Sequence, residues 1–257
     1  MKASIIGIGT ELTLGQILNR NAQWISEKLQ LLGVETVIHL AVPDHEQLIL
    51  ESLDFTADRS DLIFTTGGLG PTTDDFTKEV IAKWTGKILQ YDSASWDRIV
   101  EIFKNRGAVI REFQKQQAFF PAGADILTNN AGTANAFSMD LAGKYSNKKL
   151  YVLPGPPLEI ETLWADHISQ QLEVLCKDLD PYVTYSWDCQ NAGESEIAFR
   201  TEAALQGCSL TKGYRVHKPY VEVKLSFYKS QLKEATPFIK ALDETLATYI
   251  YKKFPSR

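Results

Sequence analysis

The stretch DLIFTTGGLGPTTDD, from Asp61 to Asp75, decides how this chain is read. Its first part, Asp61–Thr65, is a short apolar burst of the kind that forms a strand covered on both faces. It discharges into Thr66, Gly67, Gly68, Leu69, Gly70, Pro71, Thr72 and Thr73, and a helical pattern begins at Phe76–Trp84. In open parallel α/β sheets, ligands bind beyond the carboxyl ends of strands, where such a loop lies. Glycine lets backbone N–H groups approach a ligand closely. The next helix presents unpaired N–H groups and the positive end of its dipole, which suits a phosphate. Thr66, Thr72 and Thr73 add hydroxyl donors. Asp74 and Asp75 are the discordant element, because two acids repel a phosphate unless a cation lies between them. One of them caps the helix, or the pair holds a hard divalent ion together with phosphate oxygens.

Two commoner phosphate motifs fail. Gly7-Ile8-Gly9 opens a dinucleotide fingerprint, but Leu12 stands at the third glycine position. The Gly67 loop lacks the Gly-Lys-Ser/Thr ending of a P-loop. Neither a nicotinamide dinucleotide nor a Walker-type ATPase is supported.

Working outward, the flanking elements alternate as a parallel sheet requires. Ala3–Ile8 reads as a buried strand, Asn21–Leu32 as a helix stopped by Gly33, and Glu35–Val42 as a second strand. Asp44 is placed to cap a helix through Phe55. Ser93–Lys115 is helical with an interruption near Gly107. Ala124–Leu127, Ala136–Leu141 and Leu150–Leu153 read as strands, and Leu158–Leu175 as a helix. From Tyr182 the order changes: strand to Gln190, helix Glu194–Leu205, strands Ser209–Val216 and Val221–Tyr228, and a last helix Gln231–Tyr251. The expectation is an α/β domain over residues 1–176, a three-layer, mostly parallel sheet with helices on both faces. A small α+β domain over 177–257 follows.

Composition narrows the function. With 27 basic and 32 acidic residues among 257, the net charge is -5, and no basic run interleaved with aromatics appears. A nucleic-acid partner is not expected. The apolar start is too short for a membrane span and lacks a cleavage site, so no membrane partner is expected either. Cys176, Cys189 and Cys208 form neither a disulfide framework nor a zinc pattern. The expected setting is the reducing cytoplasm. The four histidines show no metal-ligand spacing.

The ordered motifs resemble a known family. Gly9-Thr10-Glu11-Leu12, Gly15-Gln16-Ile17, Asn19-Arg20-Asn21, the run from Thr66 to Thr77, Lys115-Gln116-Gln117-Ala118, Gly132-Thr133-Ala134 and Leu153 to Glu159 resemble the N-terminal region of the competence/damage-inducible CinA family. Gly193-Glu194-Ser195-Glu196 and Gly213-Tyr214-Arg215 extend the likeness to nearly the full length. The first domain looks like the molybdopterin-binding MoaB/MogA fold. The resemblance implies a homodimer and metal-dependent hydrolysis of a nucleotide pyrophosphate, ADP-ribose giving AMP and ribose 5-phosphate. It implies a divalent ion (magnesium, manganese or cobalt), with a monovalent cation as a further candidate. It also puts Asp44 and Asp75 where the molybdopterin-binding relatives keep functional carboxylates. Full-length members often carry a further nicotinamide-nucleotide amidase domain; this sequence runs to Arg257, and deamidation is not carried over. Ala134-Asn135-Ala136-Phe137 departs from the family's Pro-Gly step, and His217-Lys218 is unusual.

The candidate site follows. Asp75 and Asp44 are the catalytic carboxylates, and Asp74 and Asp75 the metal ligands. The ligand cradle comprises Thr10, Glu11, Asn21, Thr66, Gly67, Gly68, Gly70, Pro71, Thr72, Gly132, Thr133, Gly155 and Arg215. Asn21 has a competing role as a helix cap, and Gly155 as a stiff turn among prolines. Glu159 falls in a first helical turn, where the dipole favours acids anyway. Two functions remain open: a metal-assisted pyrophosphate hydrolase, or a non-catalytic nucleotide- or molybdopterin-binding protein or pterin adenylyl/molybdenum transferase using the same loop.

Overall fold

Three apolar runs paired in parallel set the frame. The computed structural model describes residues 1–254; the last three positions of the expected 177–257 domain lie outside these. In chain order the first part forms β1 (Lys2–Ile8), α1 (Thr10–Thr13), α2 (Arg20–Gln30), β2 (Glu35–Val42), α3 (Glu46–Ala57), β3 (Leu62–Thr66) and α4 (Thr77–Thr85). It continues through β4 (Leu89–Tyr91), α5 (Ser93–Asn105), β5 (Phe119–Pro121), β6 (Asp125–Leu127), β7 (Ala136–Asp140), β8 (Lys149–Leu153), α6 (Pro157–Leu163) and α7 (Ser169–Leu175). The main sheet has the order β2-β1-β3-β8-β7-β6; β2, β1, β3 and β8 pair in parallel, and β7 is antiparallel to both of its neighbours, β8 and β6.

Alternation along the strands explains why helices cover both faces. Ile6, Ile8, Ile63, Leu150 and Val152 join Ile49, Leu53 and Ala57 of α3 and Val80 and Ile81 of α4 in one core. The intervening Phe64 and Tyr151 point the other way and stack with ring centroids 4.9 Å apart. Phe64 also stacks on Trp164, which meets Trp24 of α2 edge-on. This gives the three-layer α/β arrangement.

Several element bounds differ from the sequence reading. The long helix expected over Leu158–Leu175 is broken by a wider π-helical turn at Trp164–Ile168 between α6 and α7. Ser93–Lys115 divides into α5 and a separate 3-10 turn, Glu112–Ala118, because Gly107 leaves the helix at a φ of 63°. The small β4–β5 pair was not expected.

The chain divides into two compact units, Met1–Leu29 with Glu35–Lys177, and Gln30–Val34 with the residues from Asp178 onward. The second unit contains β9 (Tyr182–Cys189), α8 (Glu194–Ala204), β10 (Thr211–His217), β11 (Tyr220–Tyr228), α9 (Leu232–Leu246) and β12 (Ile250–Phe254). Its antiparallel sheet, ordered β10-β11-β9-β12, is a split βαβ arrangement around Trp187, Val223, Leu225, Leu242 and Leu246. The expected final helix therefore stops early, and its last residues form an edge strand instead. No helix among the described residues is long and apolar enough to cross a membrane.

Candidate ligand-binding site

The loop after β3 is shaped so that its N–H groups face away from the protein's own acceptors. Gly67 N–H is used, donating to Leu153 O at 3.0 Å. The N–H groups of Gly68, Leu69 and Gly70 have no hydrogen-bond partner among the described residues. The carbonyls of the same loop are engaged from behind. Gln117 Nε2 donates to Leu69 O at 3.2 Å, and Gln116 Nε2 to Gly70 O and Thr72 O at 3.3 and 3.0 Å. Lys78 Nζ in turn donates to Gln116 O at 2.7 Å. Gly68 adopts a φ of 67°, and a Cβ there would stand 2.0 Å from Thr77 Oγ1. A Cβ on Gly70 would stand 2.4 Å from Asp75 Oδ2. Glycine is required at Gly68 by its backbone conformation and close approach, and a side chain at Gly70 would displace the Asp75 carboxylate.

The loop floors a cavity of about 490 Å³ within the first unit. Glu11, Asn21, Thr66, Gly67, Gly68, Gly70, Pro71, Thr133 and Gly155 of the expected cradle line it, as do Asp44, Asp74 and Asp75. Four cradle candidates are not among its lining residues. Thr10 and Thr72 grip aspartates, Gly132 backs onto Glu159, and Arg215 is exposed on β10 in the second unit.

The aspartates are not helix caps. Phe76 occupies the N-cap position of α4 and His45 that of α3, with no side-chain cap bond at either. Asp44 Oδ2 instead accepts from Thr10 N–H at 2.8 Å and from Thr10 Oγ1 at 2.9 Å. Asp75 Oδ2 accepts from Thr72 N–H at 3.0 Å and from Thr72 Oγ1 at 2.5 Å. The Thr72 hydroxyl and its own backbone hold the Asp74 carboxyl below the ordinary carboxylate range. Asn21 is not a cap either: Asn19 Oδ1 accepts from Ala22 N–H at 3.0 Å, while Asn21 Nδ2 donates to Gly155 O at 2.8 Å. Asn21 therefore fixes the proline-rich turn at the cavity rim.

No group of three or more His, Cys, Asp or Glu among the described residues forms a ready metal cluster. Asp44, Asp74 and Asp75 all line the cavity, and a hard ion of the magnesium type needs only one or two carboxylates, completing its shell with ligand oxygens and water.

The chain as a whole is similar to known proteins. Residues 4–174 match the family model described as "probable molybdopterin binding domain". A "putative competence-damage inducible protein" of Caldanaerobacter subterraneus is 36% identical over 255 residues, covering 98% of this chain and 60% of the relative. The crystal structure of the protein CinA, of unknown function, from Thermoplasma acidophilum is 30% identical with a TM-score of 0.60. That match covers 67% of this chain and 99% of the other. The chain belongs to the CinA family. It spans about 60% of the length of that curated relative. The molybdopterin biosynthesis enzyme MoaB of Thermus thermophilus is 17% identical, with a TM-score of 0.44, over 69% of this chain and 98% of that one.

Some residues of this CinA-family site carry little signal in the sequence. Gln116 and Gln117 fall in a motif that resembles the family, but only the fold shows that they brace the loop. Lys78 is 3% exposed, and burial pushes its ammonium down to about 8. Glu159 lines the cavity, its carboxyl raised by burial, while Asn129 Nδ2 donates to Glu159 Oε2 at 2.6 Å.

Proposed function

We propose that this CinA-family chain is a metal-assisted hydrolase of a nucleotide pyrophosphate, cleaving an ADP-ribose-type ligand to AMP and a pentose 5-phosphate. The observation that carries this is the set of three unpartnered N–H groups, Gly68, Leu69 and Gly70, beside Asp44, Asp74 and Asp75. Preorganised backbone donors favour negative charge that grows on phosphoryl oxygens during displacement. A divalent ion held by Asp74 and Asp75 would supply Lewis acidity and neutralise phosphate charge. Asp75 and Asp44 each commit one oxygen to a threonine, which leaves Oδ1 to orient water or a cation. Water adds to one phosphorus, the bridging P–O bond breaks, and the water's proton leaves through a carboxylate.

A second reading rests on the family match: the same cradle would hold the phosphate of a molybdopterin without hydrolysis. In the hydrolase reading the protein acts as a homodimer in the cytoplasm, a reducing setting that its three free thiols suit.

The test is a panel of nucleotide diphosphates incubated with magnesium, manganese or cobalt, for the wild type and Asp75→Asn. Asparagine preserves the shape and still accepts from Thr72. The hydrolase reading expects turnover of ADP-ribose to fall about 10²- to 10⁴-fold in the variant. Cleavage of no panel member by the wild type would leave the binding reading in its place.

A further inference from the structure

The cavity lined by the glycine loop also has a wall of opposite character. Glu159 enters it from α6, and its Oε2 is fixed by Asn129. Asn129 is itself immobilised: its Nδ2 also reaches Ala134 O at 2.9 Å, and its Oδ1 accepts from Ala131 and Gly132 N–H at 3.0 and 3.1 Å. Arg98 closes the turn from beneath, donating to Gly132 O at 3.0 Å and to Asn129 O. A Cβ on Gly132 would stand 2.4 Å from the Glu159 carboxyl, so an alanine there would displace that group. Glu159 Oε1 has no hydrogen-bond partner among the described residues.

The cavity is thus polarised, with bare donors on the loop and a bare acceptor on this wall. A carboxyl repels phosphate and selects neutral O–H or N–H donors. Resting on the reading that a phosphate-bearing ligand lies over the loop, we infer that Glu159 is the specificity-determining residue that accepts hydrogen bonds from the hydroxyls of a sugar joined to that phosphate. The ligand then lies with its phosphates on Gly68–Gly70 and a pentose diol against Glu159. A carboxyl that served only the helix dipole needs no partner on a neighbouring turn, whereas this one is held in place by Asn129.

The experiment measures binding by calorimetry, with divalent metal removed so that no turnover occurs, of ADP-ribose, 2′-deoxyadenosine diphosphoribose, ADP and inorganic pyrophosphate. The proteins are the wild type, Glu159→Gln, Glu159→Ala and Gly132→Ala, each confirmed folded by circular dichroism. Removing a hydrogen bond to a charged group should cost ADP-ribose about ten- to hundredfold in affinity in Glu159→Ala and Gly132→Ala. Glu159→Gln, which keeps an acceptor without the charge, should lose less. Pyrophosphate binding should be unchanged or tighter. A Glu159→Ala loss seen with ADP-ribose but not with ADP assigns the contact to the terminal sugar. A loss that disappears with the 2′-deoxy compound assigns it to the adenosine sugar. Equal loss for pyrophosphate and ADP-ribose in the Glu159 variants would overturn the inference and leave the loop reading standing. Absence of binding of every probe by the wild type would overturn the loop reading and the inference with it.

Discussion

Asp75 Oδ2 accepts from both the backbone N–H and the hydroxyl of Thr72, three residues earlier in the chain, at 3.0 and 2.5 Å. Asp44 is gripped in the same way by Thr10, whose sequence distance is 34 residues. Two carboxylates that line the cavity are thus each anchored through one oxygen.

This anchoring has a direct consequence. Thr72→Val keeps the backbone donor and the side-chain volume but removes the hydroxyl bond to the Asp75 carboxylate. A hydrogen bond to a charged group contributes about 1.5–3 kcal/mol, so ADP-ribose turnover should fall about tenfold or more, and Thr72→Ser should restore it. Steady-state kinetics on both variants checks this; equal rates in wild type and Thr72→Val would mean that the hydroxyl does not position Asp75.

The glycine loop should resist a methyl group for a reason separable from backbone conformation. Gly68 and Gly86 have nearly the same φ, 67° and 65°, but only at Gly68 would a Cβ meet a neighbour. Gly86→Ala should show the cost of positive φ alone, about 1 kcal/mol in urea unfolding, with pyrophosphate binding intact. Gly68→Ala should lose more stability and also weaken pyrophosphate binding.

Much of this architecture is legible in the sequence, and the reasons differ by element. The strand–loop–helix unit around Gly67–Gly70 is local: an uninterrupted apolar burst, glycines, then helical spacing. The β4–β5 pair escaped because each strand has three residues and one ends in Pro121, which donates no backbone hydrogen bond. The Ile250–Phe254 strand follows directly on helix α9 and was absorbed into its pattern. Asp44 looks like a helix cap because His45 and Glu46 follow it, whereas its partner Thr10 lies far back in the chain. Glu159 has the same difficulty. Proximity to a helix start suggests a dipole role, and only the fold brings Asn129 and Gly132 to its carboxyl.

Buried Lys78 should leave a signature in alkaline unfolding. Its ammonium falls from the ordinary 10.5 to about 8 through burial, partly offset by Glu79 and Asp75. Between these values the unfolded chain binds the extra proton, so this group's contribution to stability rises with pH from about 8 to about 10.5. The full effect is roughly 3 kcal/mol. The difference in unfolding free energy between Lys78→Met and wild type, followed across that window, should shrink by an amount of that order. A pH-independent difference would show that the lysine is not desolvated.

Glu159 gives the complementary acidic signature. Its folded carboxyl is raised above the ordinary 4.5 by burial, with Asn129 and Arg98 opposing. The group therefore favours the fold when protonated, and that contribution is lost as pH climbs past 4.5. Glu159→Gln should melt above the wild type at pH 7, with the gap closing near pH 3.5. A gap of the same size at both pH values would assign the difference to packing.

The most direct measurement is a crystal structure of the protein with magnesium and a methylene-bridged, non-hydrolysable ADP-ribose. Phosphate oxygens within hydrogen-bond distance of the N–H groups of Gly68, Leu69 and Gly70 are the expected result, with the cation beside Asp74 and Asp75. Phosphates bound away from that loop, with its N–H groups solvated, would contradict the account.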